Sequence, residues 1–189
     1  MKVIIVSFIL ILSLTFFASS AFAAGPWKGQ IIDIETKEPI EGAVVLAVWE
    51  RVYRTPTGAS SYFYEAKETL TDKEGRFEIP SYTPINLVPI ISYMRGPLFT
   101  IFKPGYGSLT MVLDKYLASV GAEVYEMELS GKRYRLSHGL IEIPPLKTRE
   151  ERLENMPAVS VPYKKQKLLI KLINEERKNL GLEGELKIE

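Results

Sequence analysis

The chain has 189 residues, with 24 basic side chains against 23 acidic and a single histidine. It has no cysteine, so no disulfide holds the fold and stability must come from a buried core. The balanced charge carries no signature of a nucleic-acid partner or a membrane surface, and the length allows one sizeable domain with an appendage.

In chain order, Met1-Lys2 is a short basic start, Val3 to Phe17 carries no charge, and Ala21-Phe22-Ala23 is a small-residue cleavage site. These are the three parts of a secretory signal peptide, with cleavage expected after Ala23. The rival reading, a membrane anchor, wants about 20 apolar residues; this run is shorter, and no cysteine follows it to carry a lipid. The expected organisation is a leader over 1–23, a β-sandwich domain over 24–145 and a helical extension over 146–189. The processed protein is expected in the periplasm, at the cell surface or outside the cell, without a membrane span. Its ten tyrosines all follow the leader, which suits a β-rich fold.

Trp27 to Ile34 reads as a first strand, with Ile32 and Ile34 on one face. Glu35 to Pro39 is a polar turn. Gly42 frees the backbone to bend before Ala43 to Trp49, which is apolar on both faces and is expected to be a central strand covered on both sides. Thr55-Pro56-Thr57-Gly58 is a turn, and Tyr62 to Leu70 a strand with one wet face. Asp72-Lys73-Glu74-Gly75 reads as a hairpin turn, with Asp72 bonding the backbone ahead and Gly75 left-handed. Phe77 and Ile79 alternate with Arg76 and Glu78 in a half-buried strand. Ser81 to Pro97 is less regular, and prolines interrupt its apolar Val88-Pro89-Ile90-Ile91. Leu98 to Phe102 is a strand stopped by Lys103-Pro104-Gly105-Tyr106, and Ser108 to Leu117 fits strand or helix. Val124 to Leu129 and Arg133 to Ile143 are further strands, with Ser130-Gly131 between them.

After Pro144-Pro145 the pattern becomes helical. Thr148 and Glu151 form a capping box that starts a short helix to about Asn155. Tyr163 to Leu180 is the strongest helix, with Leu169, Leu172, Ile173 and Leu180 on one stripe and Gly181 as its stop. That stripe has to be buried, so the helix is expected to pack on the sandwich.

Gly29-x-Ile31-x-Asp33, Thr36, Pro39-Ile40-x-Gly42-Ala43-x-Val45, Thr71-Asp72-x-x-Gly75-x-Phe77-x-Ile79 and Lys103-Pro104-Gly105-Tyr106 recur here in a familiar order. Over about residues 27–106 the chain resembles the carboxypeptidase regulatory-like domain, a transthyretin-like (prealbumin-like) fold. The resemblance implies a mainly β, Ig-like Greek-key sandwich of about seven strands, to which the C-terminal α-helices are an addition. It also implies a mostly non-catalytic accessory domain of exported proteins, although such likeness says little about function.

The expected function is a non-catalytic binding or structural module, with an envelope protein or a glycan as partner, no nucleic acid, and no cofactor. The speculative ligand-binding residues are Tyr53, Tyr62 and Tyr64, which with Phe63 cluster beside a loop; Tyr82, Tyr93 and Met94 extend the group. Such aromatics either form a sugar-stacking or protein-docking surface or fill the sandwich. His138 stands alone, whereas metal and general-base schemes want more than one such group. There is no Gly-x-Ser-x-Gly elbow. Asp72 and Glu74 lack the further acids a Ca²⁺ loop needs. Glu65, Glu68, Arg51, Arg54 and Lys67 read as the solvated face of a hairpin, and the Lys164, Lys165, Lys167, Lys171 run as a solvated helix face. Transthyretin-like hydrolases use several histidines and a C-terminal Tyr-Arg-Gly-Ser, and this chain ends Glu-Leu-Lys-Ile-Glu.

Overall fold

The computed structural model describes residues 25–56, 58–117, 124–159 and 161–187; the expected leader lies outside them. Among the described residues, nine strands run in the order β1 (Trp27–Asp33), β2 (Val44–Thr55), β3 (Gly58–Leu70), β4 (Arg76–Ile79), β5 (Ser92–Phe102), β6 (Leu109–Met111), β7 (Tyr125–Leu129), β8 (Lys132–Ser137) and β9 (Leu140–Ile143). Helix α1 (Asp114–Leu117) follows β6, and α2 (Arg149–Glu154), a 3₁₀ turn (Tyr163–Lys165) and α3 (Lys167–Asn179) follow β9. The strands form two sheets, β4-β1-β9-β8-β7 and β3-β2-β5-β6. All neighbours are antiparallel except β1 and β9. The protein is a mainly β, two-sheet sandwich with C-terminal helices.

The apolar run at the start of β2 builds two cores at once. Val45, Ala47 and Trp49 face the other sheet and join Ile31, Phe77, Ile79, Phe99, Ile101 and Tyr134 in the main core. Val44, Leu46 and Val48 point the opposite way and meet Leu169, Leu172 and Ile173 of α3. A strand with no polar slot can be satisfied only between two apolar layers, and α3 is the second layer. Leu169, Leu172, Ile173 and Leu180 are all buried, so the helical stripe is covered by the chain's own sandwich. Trp27 anchors one end of the main core, its ring centroid 5.5 Å from Trp49 and 6.0 Å from Phe99.

On β1 the face shared by Ile32 and Ile34 is the one away from the main core: Ile31 faces that core, and Ile32 is buried opposite Glu142 of β9. Other expectations need correction. The turn at Asp72–Gly75 is chemically as expected, with Asp72 Oδ1 accepting from the Glu74 and Arg76 amides at 3.0 and 2.7 Å and Gly75 at φ +70°. It joins no hairpin: β3 belongs to one sheet and β4 to the other, so it carries the chain across the sandwich. Strand β5 begins at Ser92, before the expected Leu98. The span Arg133–Ile143 divides into β8 and β9 at His138-Gly139, both at positive φ. Ser108–Leu117 is strand and then helix.

The capping box is present, Thr148 accepting from the Glu151 amide while Glu151 reaches back to the Thr148 amide. Helix α3 has no side-chain cap of its own at Gln166. Glu68 of β3 supplies one instead, its carboxylate oxygens accepting from the Leu168 and Leu169 amides at 2.8 and 3.2 Å. Beside it Lys165 Nζ lies 2.7 Å from Glu65 Oε1, which holds the Glu65 carboxyl below the usual carboxylate range. Glu65 and Glu68 are therefore docking groups for the C-terminal helix, not members of a solvated face.

Candidate functional site

Beyond Trp49 the strands of the β3-β2-β5 sheet slip register. On β3, Glu65 opposes Trp49 but Phe63 opposes Glu50, so Tyr64 is an extra residue. On β5, Leu98 opposes Val48 and Arg95 opposes Glu50. Bulges of this kind increase strand twist and re-aim side chains. Past them the three strands continue as a ribbon, with Arg51 opposite Tyr62 and Met94, and Val52 opposite Ser61 and Tyr93.

The structure brings the predicted tyrosines together on this ribbon. Tyr53 and Tyr62 meet edge to face with ring centroids 5.7 Å apart, and the Arg51 guanidinium lies 5.0 Å above the Tyr64 ring. Tyr62 is the open member, 59% exposed, while Tyr64 packs against the main core. Phe63 turns away to the α3 cluster. Tyr93 lies on the opposite face under Arg54 at 5.6 Å. Tyr82 sits at the base, 4.8 Å from Trp49 and under the Lys67 ammonium, and burial pushes its hydroxyl pKa up. Arg51, Arg54 and Lys67 are thus each placed over a ring, a contact worth about 0.5–1 kcal/mol at exposed sites.

The segment 83–91 caps the ribbon. Its Ile85 carbonyl accepts from Arg51 and from the Tyr64 hydroxyl, both at 3.2 Å, and the Ile91 carbonyl accepts from the Arg54 amide at 2.9 Å. Asn86 organises the interior of the loop: its amide donates to the Ser92 carbonyl at 2.8 Å, and its oxygen accepts from the Ser92 hydroxyl and the Val88 amide. With its polar groups bonded inward, the loop turns its aliphatic side chains out. Ile90 is 87% exposed, Leu87 81%, Ile85 65% and Ile91 53%. Clustered apolar exposure of this sort makes the loop a candidate contact surface. Sequence reasoning missed it, because an apolar run broken by prolines looks like interior chain.

The electrostatics of this end differ from those of the whole. No acidic residue occurs in 51–64 or in 79–113. The two acids that flank 51–64 are already held, Glu50 by Arg95 at 2.5 Å and Glu65 by Lys165. Among the described residues neither Arg51 nor Arg54 has a carboxylate within ion-pair distance.

No family model, curated protein or solved structure matches the chain. The site therefore stands on its own geometry. His138 lines an open cleft of about 670 Å³ with Lys28, Asp72 and Glu78, and its Nδ1 lies 2.8 Å from the Ser137 hydroxyl. No carboxylate orients that ring among the described residues. The Asp72 side chain is committed to the turn backbone. Among the described residues no group of three or more metal-ligating side chains gathers, and no helix is long and apolar enough to cross a membrane.

Proposed function

We propose that this protein is an exported, non-catalytic binding module of the carboxypeptidase regulatory-like kind, whose contact surface is the projecting end of the β3-β2-β5 sheet. The single observation behind this reading is the internally bonded loop 83–91, which presents exposed aliphatic side chains beside Tyr62 and two arginines without carboxylate partners among the described residues. A sandwich braced by α3 on one side is a stable mount for such a surface, and loops on rigid scaffolds commonly carry function. Export rests on the leader pattern of residues 1–23.

A glycan is the second reading, supported by the exposure of Tyr62. The cations above Tyr64, Tyr82 and Tyr93 occupy ring faces that a sugar would need. The test is capture of envelope components by the wild-type protein and by Tyr62→Ala and Leu87→Glu variants. Loss of capture with Leu87→Glu supports the proposal, and retention of all contacts by both variants overturns it. Glycan retention lost with Tyr62→Ala alone favours the sugar. Turnover of a panel of esters, peptides and glycosides by the purified protein overturns the non-catalytic role. A mature N-terminus at Ala24 in recovered protein, measured by mass spectrometry, is the check on export.

A further inference from the structure

We infer that the projecting end docks on an anionic lipid bilayer, with Ile85, Leu87, Ile90 and Ile91 entering the acyl boundary and Arg54 at the headgroups. The inference rests on the binding-module reading and names the partner. Three observations carry it.

The first is composition. The aliphatic side chains, 53–87% exposed, stand on the outside of a loop that is bonded internally through Asn86 and Ser92. A protein-binding patch draws its strength mainly from Trp, Tyr and Arg anchors, with Leu and Val under-represented. A tip of isoleucine and leucine instead has the composition of an element that buries in lipid, where each apolar group needs no complementary pocket.

The second is charge. Arg51 and Arg54 have no acidic partner among the described residues, and the stretches that build the tip contain no acidic residue at all. Arginine near an anionic leaflet is attracted to its surface potential; Arg51 is tied to the loop through the Ile85 carbonyl and the Tyr64 ring, whereas Arg54 is exposed, and its long stem lets the guanidinium stay at the headgroups while the tip goes deeper. The near-neutral whole keeps the rest of the molecule indifferent to the membrane, so attraction is confined to one end.

The third is the aromatic flank. Tyr62 and Tyr93, 59% and 39% exposed, stand on the ribbon that the aliphatic loop caps, and tyrosine prefers the bilayer interface.

The experiment is vesicle co-sedimentation of the protein recovered from expression of the full chain, using phosphatidylcholine vesicles and vesicles that also contain phosphatidylglycerol. The Leu87→Glu/Ile90→Glu variant carries the same N-terminus, so residues 1–24 contribute equally to both proteins. The expected result is binding to the anionic vesicles, weakened by added salt and reduced about tenfold or more in the double variant. Arg54→Gln should weaken binding about fivefold. Thermal melts establish that the variants fold. An Ile90→Trp variant, which keeps the tip apolar, should show a blue-shifted emission on anionic vesicles. Absence of vesicle binding, binding unchanged in the double variant, or an unshifted Ile90→Trp emission overturns the inference. If vesicles are ignored but capture of an envelope protein still depends on Leu87, the lipid assignment falls and the binding-module reading stands. If no envelope contact depends on the tip, both fall.

Discussion

Gly75 sits at φ +70°, and a Cβ added there would lie 2.4 Å from the Ile31 carbonyl oxygen. That carbonyl belongs to β1, so the glycine lets the crossover turn lie flat on the strand beneath it. Gly75→Ala combines left-handed strain with a backbone collision and is expected to cost about 2–3 kcal/mol, read as a lower urea midpoint. Glu151 makes a different kind of prediction. Its carboxylate accepts from Lys132 Nζ at 2.6 Å and from the Lys147 and Thr148 amides, and these hold its pKa down from an ordinary 4.5 to about 2. A depressed carboxyl pKa stabilises the fold above the unfolded value and loses that contribution as pH falls through the folded one. The stability gap between wild type and Glu151→Gln should therefore be full above pH 4.5 and vanish by about pH 2, measured by urea unfolding across that range.

At the scale of the element, α3 depends on partners far away in sequence. Its N-terminal amides are capped by Glu68, 100 positions earlier, where a carboxylate also meets the positive end of the helix dipole. Glu68→Ala is expected to cost about 1–2 kcal/mol and to raise amide exchange first at Leu168 and Leu169. Further along, Glu176 is 1% exposed and takes a two-point contact from Arg152 of α2 at 2.7 and 2.5 Å. Arg152→Ala strands that buried carboxylate without its cation and should cost about 3 kcal/mol, measured as a fall in the denaturation midpoint. Both contacts show that the C-terminal helices are tied to the sandwich by charge as well as by the apolar stripe.

On the scale of the whole molecule, the β3-β2-β5-β6 sheet has two covered faces, one against the other sheet and one against α3. Ending the chain before Gln166 would bare Val44, Leu46, Val48 and Phe102, all buried in the full protein. The truncated protein is expected to lose on the order of 5 kcal/mol and to bind more of a hydrophobic dye than the full chain does. The same construction explains why the exposed aliphatic loop lies at one end. Both broad faces of the central sheet are occupied, so the exposed part is where the ribbon outruns the layers.

The unbroken apolar run from Ala43 to Trp49 already required a strand between two apolar layers, because side chains alternate and none of these could meet water. Thr148 with Glu151 and Asp72 with Gly75 were equally legible, since each motif closes over three residues and carries its own hydrogen bonds. Tyr53, Tyr62 and Tyr64 were grouped from their spacing, and pairing of β2 with β3 brings them onto the ribbon. What the sequence by itself determined were these local structures and the need for two cores. Only the tertiary structure decided that the Asp72 turn crosses between sheets, that Glu68 caps α3, and that the aliphatic segment Ile85–Ile91 faces outward. The reason is physical: turn chemistry sets backbone angles within a few residues, whereas strand partners, helix docking and exposure depend on contacts between segments tens of residues apart, whose energies appear only once the chain has closed on itself.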